Sequence, residues 1–539
     1  MLIKLQVTSK QGASFNCPDG QITAEMLQNS QGQLLISAMI PIVDITSVWH
    51  PDLMSIPAVK LPWQAEFTCG MSKSYPLFAF MNQMSHVSYC IGLTNCIDDC
   101  LASARMNQEL CCYEVKFVIA ISSETEPFAV FSDQSKRSLG EVLQDYRQLV
   151  MPAKPQYPAG AWNPVYCTWY AVHAAITEEY LISNAQAAAE LGFGTFIVDD
   201  GWCLDENKRV TPLTLPDWYR DIGDWQCSKS KLPNMKSIVD HARQLGLNYM
   251  FWVAPFFAGR RSNLTEKVSK FLTGLHEGQR IFDPADEIAV QDTQESIYNI
   301  FRQMNLDGIK IDFIDSVEPD VNHPHCRNVK KYLEQLVGKI RQDKPEALIE
   351  FRQNYSTPVN ANLATAFRAG DVPFDYMENF SRCVQLRLHM GDGVPVHADP
   401  VYFNNAESVD AVGRHMIAAL AGVPMLSMEL STISSEHKAV IKNYIDFYNN
   451  HRQLLNFGHW FVEIRSGFTA WVKCRNADKT VIIITDEALL DLALRDCSGA
   501  VTVLNLTPGK LDCRRGCAFD AVGNACGRVA PSGGRLELA

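Results

Sequence analysis

The segment GIKIDFID (308–315) ends an apolar run on Asp312, with Asp307 before it and Asp315 after it. A carboxylate taken out of water without a partner costs on the order of several kcal/mol, so Asp312 needs either partners or a task. Other short apolar runs also end on polar or indole side chains. In chain order these are Trp169, then Asp199, Asp200 and Trp202, then Trp252, then Lys310 and Asp312. Glu350 and Arg352, Arg368 and Asp371, and His397 and Asp399 follow. Indole faces stack on the C–H faces of sugar rings, and carboxylates accept hydrogen bonds from hydroxyls. Two carboxylates from different elements, one ionised and one protonated, are what glycosidic-bond cleavage requires.

Each residue also has a plainer reading. Asp312 could close a salt bridge with Lys310, which shares its face of an extended strand. Asp371 could cap a helix starting near Pro373, and Asp199 and Asp200 could cap a loop. Trp252, and Trp225 in GDW (223–225), could be core aromatics. His397 and Asp399 read as a supporting network rather than as reacting groups.

The elements that would position these groups follow from hydrophobic periodicity. Between residues 161 and 454, short apolar runs alternate with amphipathic stretches. The runs are VYCTW (165–169), TFIVDD (195–200), NYMFWV (248–253), GIKID (308–312), ALIEF (347–351), ATAFRAG (364–370), PVHAD (395–399) and VPMLSM (423–428). Stretches such as EEYLISNAQAAAELG and VKKYLEQLVGKIRQ repeat apolar residues every three or four positions. Eight β-then-α units predict a (β/α)8 TIM barrel, with its chemistry at the C-terminal strand ends. A doubly wound sheet is the alternative, but CTWYAVHAA lacks that fold's glycine-rich turn. Residues 1–150 carry short alternating strands that predict an N-terminal β-sandwich. Residues 151–160, MPAKPQYPAG, read as a linker. Residues 455–539 read as a small C-terminal antiparallel β domain.

FIVDDGW, DIGDW with KLPNMKSIVDHARQLGLNYMFWVAP, GIKID and FRAGD occur in an order that resembles glycoside hydrolase family 36, the α-galactosidases and their raffinose-synthase relatives. The likeness runs over roughly 160–430 and includes YCTWYA. It implies a retaining, metal-free enzyme with Asp312 as nucleophile and Asp371 as general acid/base. It implies that Asp199 and Asp200 grip the sugar's 4- and 6-hydroxyls, and that Trp169, Trp202, Lys310 and Arg368 lie in the pocket. Trp252 and Arg352 join the substrate-binding candidates from the strand-end reading. Two departures stand out. Phe-Ile-Asp follows Asp312 where many members have Met-Asn-Arg. EFRQNYS (350–356) replaces a Cys- and Gly-rich segment that contacts the sugar's 2-substituent, leaving galactose and N-acetylgalactosamine both open.

The composition fits this picture. The chain has 539 residues, 47% hydrophobic and 20% charged, with a net charge of −12. That length predicts more than one domain. That charge disfavours nucleic acid as a partner, and no apolar run is long enough to span a membrane. With no signal-like N-terminus, 17 cysteines suggest free thiols in a reducing cytoplasm. Cys90, Cys96, Cys100, Cys111 and Cys112, and His323, His325 and Cys326, lack metal-ligand spacing. No cofactor is expected, an oligosaccharide or glycoside is the expected partner, and a homo-oligomer is possible. The function classes that remain are a retaining α-galactosidase, a hydrolase of another α-sugar or a transglycosylase, and a non-catalytic sugar-binding protein.

Overall fold

The computed structural model describes residues 5–538 apart from 31, 55–60, 152–154, 466, 498 and 513–515. Residues 152–154 of the expected linker lie outside the described residues.

All eight expected strands fall in one parallel sheet. They are β1 (Val165–Cys167), β2 (Thr195–Val198), β3 (Asn248–Val253), β4 (Gly308–Ile311), β5 (Leu348–Arg352), β6 (Ala366–Arg368), β7 (Val396–His397) and β8 (Met425–Leu426). Sequential strands pair from β1 to β7, and β8 pairs with β1. A parallel bridge from His397 to Val423 closes the ring. These strands are buried nearly throughout, which is why they read as continuous apolar runs rather than alternating ones. Gly308 opens β4 because a Cβ there would lie 2.2 Å from the Leu348 carbonyl oxygen.

Helices α1 (Glu178–Leu191), α2 (Met235–Gln244), α3 (Glu287–Met304) and α4 (Cys326–Asp343) follow the first four strands. Helices α5 (Tyr376–Met390), α6 (Val409–Ala419) and α7 (Ser435–Phe457) follow β6, β7 and β8. Most begin on a side-chain cap: Thr177, Asp286, Asp375, Ser408 and Ser434 each accept a backbone N–H of the first turn. The fifth unit departs from the expected alternation. Residues 353–365 cross from β5 to β6 on 3-10 turns alone. Their Asn, Ser, Thr and Pro residues hydrogen-bond locally or break helices, and so favour turns.

Before the barrel, a six-stranded and a five-stranded antiparallel sheet face each other. They enclose a core that includes Val7, Ile36, Phe78, Phe80 and Phe117. This sandwich is tied to the barrel by polar contacts. The Asp99 carboxylate accepts the backbone N–H groups of Asp320, His325 and Cys326. Ser72 donates to the Val317 carbonyl at 2.6 Å, and the Trp49 indole donates to Gln385. After the barrel lies a seven-stranded sheet. It is antiparallel except where Lys479–Ile484 pairs in parallel with Ala500–Asn505 across a short helical crossover. No described helix is long and apolar enough to cross a membrane.

Candidate active site

Eight of the ten expected site residues line one cavity at the C-terminal strand ends. They are Trp169, Asp199, Asp200, Trp252, Lys310, Asp312, Arg368 and Asp371. Trp202 and Arg352 do not.

Asp312 follows β4 and is 4% exposed. The Trp252 indole donates to its Oδ2 at 2.9 Å, and the Phe313 backbone N–H donates to its Oδ1 at 2.8 Å. Phe313 reaches that position in a left-handed backbone conformation, with φ 57°, uncommon for an aromatic residue. Arg352 Nε lies 3.2 Å from Oδ1, and Lys310 Nζ lies 3.7 Å from Oδ2. Burial pushes this carboxyl upward, but Arg352, Lys310 and Arg368 outweigh it and hold the group well below the usual carboxylate range. The residue is therefore ionised, desolvated and presented to the cavity.

Lys310 is shared. Its Nζ is 2.6 Å from Asp199 Oδ2, and the Cys167 thiol donates to the same oxygen. Asp200 is buried beside it. Trp218 donates its indole N–H to Asp200 Oδ2 at 2.6 Å, while Oδ1 has no hydrogen-bond partner among the described residues. Burial pushes Asp200 up to about 7, with Asp199 adding to it. An acceptor left open in a cavity wall is suited to a ligand hydroxyl. Gly201 (φ 111°) turns the chain past Ala174, since a Cβ there would sit 2.5 Å from the Ala174 Cα. That turn sends Trp202 under the cavity floor rather than into it. Its indole donates to the Trp252 carbonyl and stacks on Phe251 at 4.7 Å. Trp202 is thus a core residue. Trp225 is as well, packed at 6.0 Å from Trp252.

Asp371 leaves β6 with its side chain 45% exposed. The cap of α5 is Asp375, so Asp371 is free of that duty. Arg368 Nη1 donates to Asp371 Oδ1 at 2.9 Å and also to Asp399. Burial works upward on Asp371, but Arg368 and then Arg352 keep it low, while the Asp312 charge opposes them. Asp399 is fully buried, takes the Tyr170 hydroxyl and the Val372 N–H on Oδ2, and is pushed up to about 7 by burial.

Arg352 does not line the cavity because three carboxylates hold it behind the wall. It reaches Asp312 and Asp315 at 3.2 Å each and Asp371 at 3.9 Å, and its guanidinium lies over the Phe313 ring. Glu350 pairs with Arg368 at 3.5 Å and His397 at 3.4 Å rather than with Arg352. His325 and Cys326 open α4 beneath Asp99, and His323 sits at the surface with Asp320. Among the described residues no group of His, Cys, Asp and Glu could hold a metal ion.

Sequence reasoning missed Tyr170 and Tyr219, which line the cavity, and Trp218, which fixes Asp200. For Trp218 and Tyr219 the signal was present in the loop after β2, where PDWYRDIGDW concentrates aromatics outside any strand or long helix.

A family model described as Melibiase matches residues 123–335. The α-galactosidase AgaA of Geobacillus stearothermophilus is 22% identical over 383 residues, 62% of this chain and 47% of that protein. An Escherichia coli α-galactosidase is 27% identical over 137 residues, 25% of this chain and 18% of that protein. The chain thus spans less than half the length of these relatives. The structure of AgaA in complex with raffinose superposes with a TM-score of 0.66 at 15% identity, covering 94% of this chain and 77% of that one. The chain is similar in sequence to these α-galactosidases and shares the fold of the family 36 α-galactosidase AgaA.

Proposed function

We propose that this protein is a retaining α-glycosidase acting on terminal α-galactosides. The observation that carries this reading is the pair Asp312 and Asp371, set in one cavity at the ends of β4 and β6 with unequal surroundings. Asp312, buried among cations, is the nucleophile. It attacks the anomeric carbon and forms a glycosyl ester while the aglycone oxygen leaves.

Asp371, half exposed at the cavity rim, protonates that oxygen and then deprotonates the water that cleaves the ester. Its proton affinity tracks the state of Asp312. The Asp312 charge raises it before attack, and esterification removes that charge. Acid catalysis requires Arg368 to release Asp371, and Asp399 and Glu350 stand ready to take the guanidinium. Asp199 and the open Oδ1 of Asp200 receive the sugar hydroxyls, with Trp169 along the wall. AgaA is a relative whose structure holds raffinose, which supports a galactosyl oligosaccharide as substrate here. The sixteen described cysteines are free, which fits a reducing cytoplasm.

A 2-deoxy-2-fluoro-α-galactosyl inactivator tests the reading. It should label the peptide containing GIKIDFID, and proton NMR should show the first-formed sugar as the α anomer. A β anomer, or label on another peptide, would overturn it.

A further inference from the structure

The cavity is narrow, walled by Trp169, Tyr170, Tyr219 and Trp252 around the strand-end carboxylates. It suits one sugar ring, so the next unit of an oligosaccharide must lie outside. Asp371 sets the direction, because a general acid must reach the oxygen joining the two rings. Beyond Asp371 the chain presents Phe374, 57% exposed and left-handed at φ 71°. A single exposed aromatic needs no explanation, but this one is not isolated. Its ring lies 5.0 Å from Tyr402, and Tyr402 stacks on Tyr170 at 5.9 Å and 27°. Tyr170 lines the cavity and is anchored by its hydroxyl to Asp399 at 2.8 Å. Pro400, two residues before Tyr402, lines the cavity as well. The aromatic surface therefore runs unbroken from the cavity wall to solvent, on the side where Asp371 emerges.

We propose that Phe374 and Tyr402 form the platform for the leaving-group sugar, stacking on its C–H face and selecting substrates with a pyranose there. The proposal rests on the glycosidase reading above. A hydroxyl-rich ring with one apolar face suits this surface, because the rings offer area without a charged partner.

The test compares melibiose, which carries a leaving-group sugar, with α-galactosyl fluoride, which carries none. Phe374→Ala should lower kcat/KM on melibiose about tenfold, mainly through KM, and leave the fluoride within about twofold. Phe374→Trp should restore melibiose turnover. Equal losses on both substrates would make Phe374 a structural residue, and no loss on melibiose would remove the platform; either result overturns the proposal while leaving the glycosidase reading intact. Wild-type protein inert on both substrates would overturn the glycosidase reading and the platform with it.

Discussion

Lys310 Nζ lies 2.6 Å from Asp199 and 3.7 Å from Asp312, so one buried ammonium joins the carboxylate predicted to hold the sugar to the one predicted to attack it. Removing one partner of such a buried group costs more than the pair is worth, because it strands the others. Lys310→Met should destabilise the fold by about 3–5 kcal/mol and lower kcat as well as raise KM. Calorimetry and steady-state kinetics on an aryl α-galactoside check both. A rise in KM alone would mean that Lys310 serves only Asp199.

Arg352 makes the largest favourable contribution to keeping Asp312 ionised. An Asp whose folded pKa is depressed stabilises the fold above its unfolded value, about 3.9. It loses that contribution only as pH falls through the folded pKa. Arg352→Gln should raise the Asp312 pKa. Acid unfolding should then begin at higher pH, and the acid limb of kcat/KM should shift the same way. An unchanged acid limb would show that Lys310 and Arg368 suffice.

Asp371→Ala should depress hydrolysis of alkyl galactosides far more than of dinitrophenyl galactosides, since a good leaving group departs without a proton. Asp399→Asn should mimic part of this pattern. Without Asp399 to share Arg368, the guanidinium stays on Asp371 and keeps it ionised. Leaving-group plots for both variants supply the measurement, and parallel losses across all leaving groups would refute the acid assignment.

Asp200 has a folded pKa of about 7, above the unfolded value of about 3.9. The folded chain holds a proton that the unfolded chain releases, so its contribution to stability falls as pH rises from about 4 to about 7. Asp200→Asn removes this penalty. The variant should gain more in Tm over wild type at pH 8 than at pH 5, while losing about 1.5–3 kcal/mol of transition-state binding for galactosides. A variant that is less stable at pH 8 would assign Asp200 a structural role.

The barrel was legible because fully buried parallel strands have no polar face to obscure them, and seven of the eight runs were followed by polar or indole side chains at one end. Candidate residues on or just after strands that line the cavity, such as Lys310, Asp312 and Arg368, were legible for the same reason. What escaped depended on backbone turns and long-range pairing. Trp202 follows the same strand as Asp200, but the left-handed Gly201 points it into the core. Trp218 and Tyr219 come from an irregular loop with no periodicity to read. Arg352 carries the right charge at the right strand end, yet three carboxylates contributed by other segments draw it behind the wall. The missing fifth helix was foreshadowed only by local turn chemistry in 353–365.

The Asp99 carboxylate, donated by the sandwich, accepts the backbone N–H groups of His325 and Cys326, the cap and first residue of α4, the helix that follows the loop after Asp312. The two architectures are consequently not interchangeable building blocks. A chimera that grafts this barrel onto another sandwich inherits a helix with an open N-terminus, unless the graft carries an acceptor at the place of Asp99. Recombination across this boundary is therefore constrained by individual side chains, Asp99 together with Ser72 and Trp49, and a breakpoint downstream of Asp99 splits what the fold treats as one unit.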